Sequence, residues 1–221
     1  MGATLSTPPT QLRVAGGLFL AGGLTFLLGA ASPPQEQWSA PPLRALQVIA
    51  AHPVAWLWIH ACFATAVVLT ILGFGAFAFA LATVPRGALL AVLSRDAYLA
   101  GAFLWLANIG FRVTVQAWAA AELVRSGALP PSYLPGQQWV DALFALYITL
   151  AYLADAAVGW IALRTAIAPR WTGWFAIAFG LTAGGIVGAS IPALVHLPLM
   201  IVGGNLIRRP RPEPPHRGRR P

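Results

Sequence analysis

Charged residues are scarce in this sequence, and lysine is absent. Only 9% of the 221 residues are charged, 58% are hydrophobic, and the mean hydropathy is +0.71. This composition leaves too few polar residues for a soluble domain and predicts a polytopic membrane protein. All 14 basic residues are arginine, and Ala, Pro and Gly are abundant. That bias is typical of GC-rich bacterial genomes, so we expect a multi-pass protein of a bacterial cytoplasmic (inner) membrane.

The sequence has one cysteine and none of the common catalytic motifs. The single cysteine, Cys62, cannot form an internal disulfide. The sequence contains no HExxH pair, no phosphate-binding Gly-rich loop, no Ser-His-Asp order and no cysteine cluster. We therefore predict neither a metal site nor catalytic residues, and an enzyme is the less favoured class.

The net charge of +8 does not indicate a nucleic-acid-binding protein. The arginines lie between apolar runs and in a short tail, so no soluble domain carries a basic binding face. The tail, residues 208–221, is rich in Arg and Pro and is predicted to be disordered. Its arginines serve either as a topology signal, which is the favoured interpretation, or also as a site for anionic lipid.

Apolar runs divide the chain into six predicted spans of one transmembrane domain, an all-α helix bundle. The spans cover about 12–31, 54–84, 97–124, 140–163, 171–189 and 193–207. The last two are divided at Ser190-Ile191-Pro192, because a single helix would be about 55 Å long and the hydrocarbon core is about 30 Å thick. The first span is expected to be retained, although Gly29-Ala30-Ala31-Ser32 also fits a signal-peptidase site.

The distribution of arginine predicts the orientation. Six spans with a cytoplasmic N-terminus also place the C-terminus in the cytoplasm. Of the arginines, only Arg44 and Arg125 then lie outside, with Arg112 within the membrane, which agrees with the positive-inside rule. Outside the membrane we expect a short surface helix after Pro41-Pro42 and a loop over 127–138.

One polar stripe interrupts the third span. Asn108, Arg112 and Gln116 recur every four residues and therefore share one helical face. A charge at membrane depth needs a partner or a wet cavity. We predict that Arg112 pairs with Asp155 of the fourth span, with Tyr152 beside it.

His60 of the second span lies at about the same membrane depth as Arg112 and is counted with this polar cluster. Three functions remain open for the cluster. The favoured one is a structural or accessory role, in which buried polar groups fix helix packing. The cluster could instead serve a small-solute, ion or proton carrier. Finally, His60 and His196 could ligate a haem b, although no cofactor is the leading expectation.

The fifth span carries three glycines at four-residue spacing, Gly180, Gly184 and Gly188. Such a stripe lets two helix backbones approach closely. The favoured partner is another helix of the same chain, and the alternative is a second copy in a homo-oligomer.

Several short motifs are shared with a known group of proteins. They are Arg13-Val-Ala-Gly-Gly at the first helix, Pro169-Arg-Trp-x-Gly-Trp before the fifth, and Gly203-Gly-Asn-Leu-Ile-Arg-Arg at the end. In these motifs the chain resembles small six-helix bacterial membrane proteins known only as domains of unknown function. The resemblance implies a fold and a location, and it implies no catalytic residues.

Overall fold

The computed structural model describes residues 9–85, 87–186 and 192–208, and in these ranges the chain is helical without a strand. The α-helices are α1 (Pro9–Ala31), α2 (Pro42–Ala51), α3 (Pro53–Leu81), α4 (Ala88–Phe111), α5 (Ala117–Ser126), α6 (Tyr133–Thr165), α7 (Arg170–Ile186) and α8 (His196–Arg208). A π-helical segment, Arg112–Gln116, joins α4 to α5 without a break. The all-α fold class is thus confirmed.

Four helices are long and apolar enough to cross a membrane. They are Thr10–Ala31, Pro53–Leu81, the continuous helix Ala88–Ser126 and Tyr133–Thr165. The last two exceed the predicted spans at their ends. The predicted loop over 127–138 is therefore wrong in its second half. Pro135 does not prevent the helix from starting at Tyr133, because it lies in the first turn, where no intrahelical N–H bond is lost.

The helices pack in a closed order: α1 on α3, α3 on α4, α4 on α6, α6 on α7, α7 on α8, and α8 on α1. Two of these contacts depend on paired glycines. A Cβ atom on Gly159 would lie 2.6 Å from the Gly173 carbonyl oxygen, and one on Gly173 would lie 2.7 Å from that of Gly159. Gly16 and Gly203 face each other in the same way between α1 and α8. Small residues therefore set these helix distances.

Gly180 also packs within the chain. A Cβ atom there would lie 2.7 Å from the Tyr152 carbonyl oxygen of α6. The side-chain surroundings of Gly184, and all of Gly188, lie outside what the structure describes, as do the Ser190-Ile191 division and residues 209–221 of the tail.

The predicted surface helix is present as α2, but its apolar face is covered by protein. Leu46 and Ile49 are buried with Ala119, Ala120 and Leu123 of α5. In the first turn of α2, Arg44 donates a hydrogen bond of 2.7 Å to Glu36, which precedes the helix, and this bond lowers the pKa of the Glu36 carboxyl. Helices α2 and α5 thus form a small cap at one end of the bundle.

Candidate functional site

Arg112 is the centre of a hydrogen-bonded group at the end of the bundle that carries the cap. Its Nε donates to Oδ1 of Asn108 at 2.7 Å, and Nδ2 of Asn108 donates to the Val140 carbonyl oxygen of α6 at 2.7 Å. Its Nη2 lies 3.5 Å from Oδ1 of Asp141. The Arg112 side chain is 18% exposed and that of Asp141 is 56% exposed, so the group opens to the surface.

A second polar stripe on α6 faces the predicted one. Nε2 of Gln137 donates to Asp141 at 2.8 Å, and the hydroxyl of Tyr133 donates to Oε1 of Gln137 at 3.2 Å. Nε2 of Gln116 in turn donates to the Tyr133 hydroxyl at 3.0 Å. Tyr133, Gln137 and Asp141 recur every four residues, as the α4 stripe does. The two stripes meet because α4 and α6 run antiparallel.

The π-helical segment connects this group to α3. The indole Nε1 of Trp56 donates to the Arg112 carbonyl oxygen at 3.0 Å. Nδ1 of His60 lies 2.8 Å from the Trp56 carbonyl oxygen. Single π-helical turns inside α-helices occur frequently at functional sites, since they redirect backbone and side chains. We call the residues of this whole group the Arg112 network; they are Trp56, His60, Asn108, Arg112, Gln116, Tyr133, Gln137 and Asp141.

The predicted pairing of Arg112 with Asp155 is wrong. Asp141 is the acid beside Arg112, and it lies about 21 Å from Asp155 along α6. The helix register explains the error: a Cβ atom on Gly101 would contact Tyr147 and Leu150, which places Asp155 level with the first turns of α4. The lean of side chains toward the helix N-terminus cannot close a gap of that size.

Asp155 instead belongs to a separate cluster deeper in the bundle. Its side chain is 0% exposed, and neither carboxyl oxygen has a hydrogen-bond partner among the residues that the structure describes. The hydroxyls of Tyr98, Tyr147 and Tyr152 are also buried without such a partner, and all three lie within electrostatic reach of Asp155. The Tyr98 hydroxyl faces Thr70 of α3 as well. We call Thr70, Tyr98, Tyr147, Tyr152 and Asp155 the Asp155 cluster.

Aromatic rings lie between the two polar groups. Trp105 of α4 packs edge-on against Phe144 and Tyr147 of α6, with ring centroids 4.8 Å and 4.2 Å away. Trp105 is buried. Trp105 and Phe144 therefore separate the Asp155 cluster, with Tyr147 at its edge, from the Arg112 network, which opens to the surface.

The two histidines considered as haem ligands are both buried, at 1% exposure. The ring of His196 packs on Phe26 with centroids 4.6 Å apart, Phe26 stacks on Phe63 at 4.6 Å, and Phe63 lies 5.8 Å from the ring of His60. The histidines are thus linked by two phenyl rings. A haem iron bound by both histidines would have to lie between their rings, where Phe26 and Phe63 now pack. Both phenyl rings would therefore have to move out of this space.

An apolar groove of about 490 Å³ opens beside the π-helical segment. Ile49, Pro53 and Trp56 line one side, and Val113, Ala117 and Ala121 line the other. No charged residue lines it.

The polar spacing and the depth of His60 thus predicted Asn108, Arg112, Gln116 and His60 as one group, but the predicted acidic partner of Arg112 was Asp155 and not Asp141. Tyr133 and Gln137 fall in the predicted loop over 127–138, and Asp141 lies at the edge of the predicted span 140–163, so none of the three was predicted as a partner. The signal was present: a four-residue polar period beside Trp139, ending in one of only six acidic residues of the chain.

The chain matches no family model, no curated protein and no solved structure. The resemblance to small six-helix membrane proteins therefore stays a prediction, and function has to be inferred from the site.

Proposed function

We propose that this chain is a six-span protein of a bacterial cytoplasmic membrane with both termini in the cytoplasm. The four long apolar helices support the membrane location, and α7 and α8 would be the remaining two spans. Trp139 and Trp160 on α6 are both exposed and lie about 31 Å apart, close to the thickness of a hydrocarbon core. With these tryptophans at the two interfaces, Asp141 lies at the outer one.

On this basis we propose that the protein carries a small cation, H⁺ included, with Asp155 as the binding group. The observation that supports this function best is the burial of Asp155 without a cationic partner in the described part of the chain. Asp155 would lie about 7.5 Å inside the inner interface marked by Trp160. An ionisable residue at such depth is costly and characteristically marks an ion or proton pathway.

The cost of burying a carboxylate supports a role for Asp155 beyond helix packing. A buried charge stabilises packing only when a partner and hydrogen bonds compensate its lost hydration, and an uncompensated one costs several kcal/mol. An Ala or Leu at this position would pack at lower cost. A bound cation or proton supplies the missing compensation.

A structural role is the second candidate function, and the Arg112 network favours it. Its side chains bond to one another or to backbone oxygens and connect α3, α4 and α6. Such a network fixes the register of three helices. It can serve a carrier as a rigid outer frame, or it can be the whole purpose of an accessory protein.

Reconstitution into liposomes tests the carrier function. Proton entry is followed with an enclosed pH-sensitive dye under an imposed membrane potential, and Na⁺ and K⁺ entry with isotopes. We expect one of these ions to enter faster than in protein-free liposomes. Asp155→Asn should abolish the difference, whereas Asp96→Asn, which removes an exposed carboxylate of α4, should keep it. Equal rates for the wild type and Asp155→Asn would refute the carrier and leave the structural role.

A further inference from the structure

We propose that the Asp155 cluster is a proton-binding site, in which the fully buried carboxyl of Asp155 takes up and releases H⁺. This inference rests on the proposed carrier function only for its physiological use. The site itself can be tested without any transport.

The surroundings of Asp155 do not provide the ligands of a metal cation. Hard cations such as Ca²⁺ take six to eight oxygens, from carboxylates, carbonyls and water. Here Asp155 offers one carboxyl group, and the Thr70 hydroxyl already donates to the Ala66 carbonyl oxygen at 2.8 Å. Within the described residues no group of three acidic, His or Cys side chains could hold a metal ion. A proton needs only one carboxyl oxygen.

The charges around the cluster also favour the protonated, neutral form of the Asp155 carboxyl. On α4, Arg95 and Asp96 are exposed and pair with each other at 2.9 Å. On α7 the only basic residue is Arg170, which is exposed at the helix start, and on α8 His196 packs against Phe26. The titratable groups that face Asp155 are Tyr98, Tyr147 and Tyr152, and none of them offers a positive charge.

The tyrosines suit both states of such a site. A tyrosine hydroxyl can donate a hydrogen bond to a carboxylate or accept one from a carboxylic acid. When a proton arrives from water, an O–H bond forms on the Asp155 carboxyl and the charge of the cluster changes from −1 to 0. When the proton leaves to water, that O–H bond breaks and the charge returns to −1. No electron transfer and no further reactant is involved.

Infrared spectroscopy of the full chain in liposomes tests the proton site. At about pH 7, where exposed carboxyls are ionised, we expect a protonated carboxyl band that shifts in D₂O. Asp155→Asn should remove the band and Asp96→Asn should keep it. Asp155→Glu, which retains a carboxyl, should restore it. Tyr98→Phe should keep the band and shift its titration midpoint, because one polar hydroxyl is removed from the surroundings of the acid.

Identical spectra of the wild type and Asp155→Asn at neutral pH would overturn the proton site. Loss of the band on adding Na⁺ or K⁺ at constant pH would overturn it too, since a metal ion would then displace the proton. The carrier function can fail on its own. If the band depends on Asp155 but the liposomes show no ion flux, the proton site stands and transport is refuted. Flux of Na⁺ without the band keeps transport and refutes the proton site.

Discussion

The position of Arg112 beside Asp141, and not beside Asp155, can be tested with double-mutant cycles. Arg112→Gln removes the charged Nε donor from Asn108, a bond of 2.7 Å in a half-buried position. A hydrogen bond that involves a charged group contributes about 1.5–3 kcal/mol. The contact with Asp141 adds less than about 1 kcal/mol, because it is 3.5 Å long and the carboxylate is 56% exposed.

These magnitudes set the expected couplings. Arg112→Gln with Asn108→Ala should deviate from additivity by about 0.5–3 kcal/mol, as residues in one network do. Arg112→Gln with Asp141→Asn should couple by less than about 1 kcal/mol. Arg112→Gln with Asp155→Asn should be additive within about 0.5 kcal/mol, since the two sites are far apart.

The assay is reversible unfolding in mixed micelles with increasing SDS, followed by tryptophan fluorescence, for each single and double variant. A coupling of about 3 kcal/mol or more between Arg112 and Asp155 would mean a buried ion pair. That result would refute the helix register that places Asp141, and not Asp155, beside Arg112.

Three further predictions concern packing, the π-helical segment and topology. Gly180→Leu should lower the unfolding free energy by about 1–3 kcal/mol through overpacking against α6. The control Gly110→Leu should not, because a Cβ atom at Gly110 meets nothing within 4 Å. Equal losses in the two variants would contradict the tight α6–α7 contact. Trp56→Phe should cost about 1 kcal/mol, because the Arg112 carbonyl oxygen loses its indole donor, and an unchanged unfolding curve would speak against that bond. In a cysteine-free background, Ser39→Cys should react with an impermeant maleimide in intact cells and Ala166→Cys only after permeabilisation, and the reverse pattern would invert the proposed orientation.

The sequence by itself determined the helical class and the face on which the polar residues lie. Apolar runs of membrane length leave little alternative to helices, because every backbone polar group in lipid must be bonded within its own element. The four-residue spacing of Asn108, Arg112 and Gln116 likewise fixes a common face, whatever lies opposite. Of the motifs singled out, Gly180 contacts α6 within the chain, as the small-residue pattern favours.

Only the tertiary structure decided what lies opposite that face. Side-chain period is a property of one helix. The register between α4 and α6 depends instead on contacts between the two helices, such as that of Gly101 with Tyr147 and Leu150, and on where α6 begins. The predicted span starts at residue 140, which leaves Tyr133 and Gln137 outside the helix and Asp141 at its first turn. The structure starts it at Tyr133, gives Arg112 its neighbour, and leaves Asp155 among tyrosines without a cation in the described part of the chain. Because of the register between α4 and α6, the Arg112 network is hydrogen-bonded, whereas Asp155 has no such bond among the residues that the structure describes. That register is a property of two packed helices, and neither helix encodes it alone.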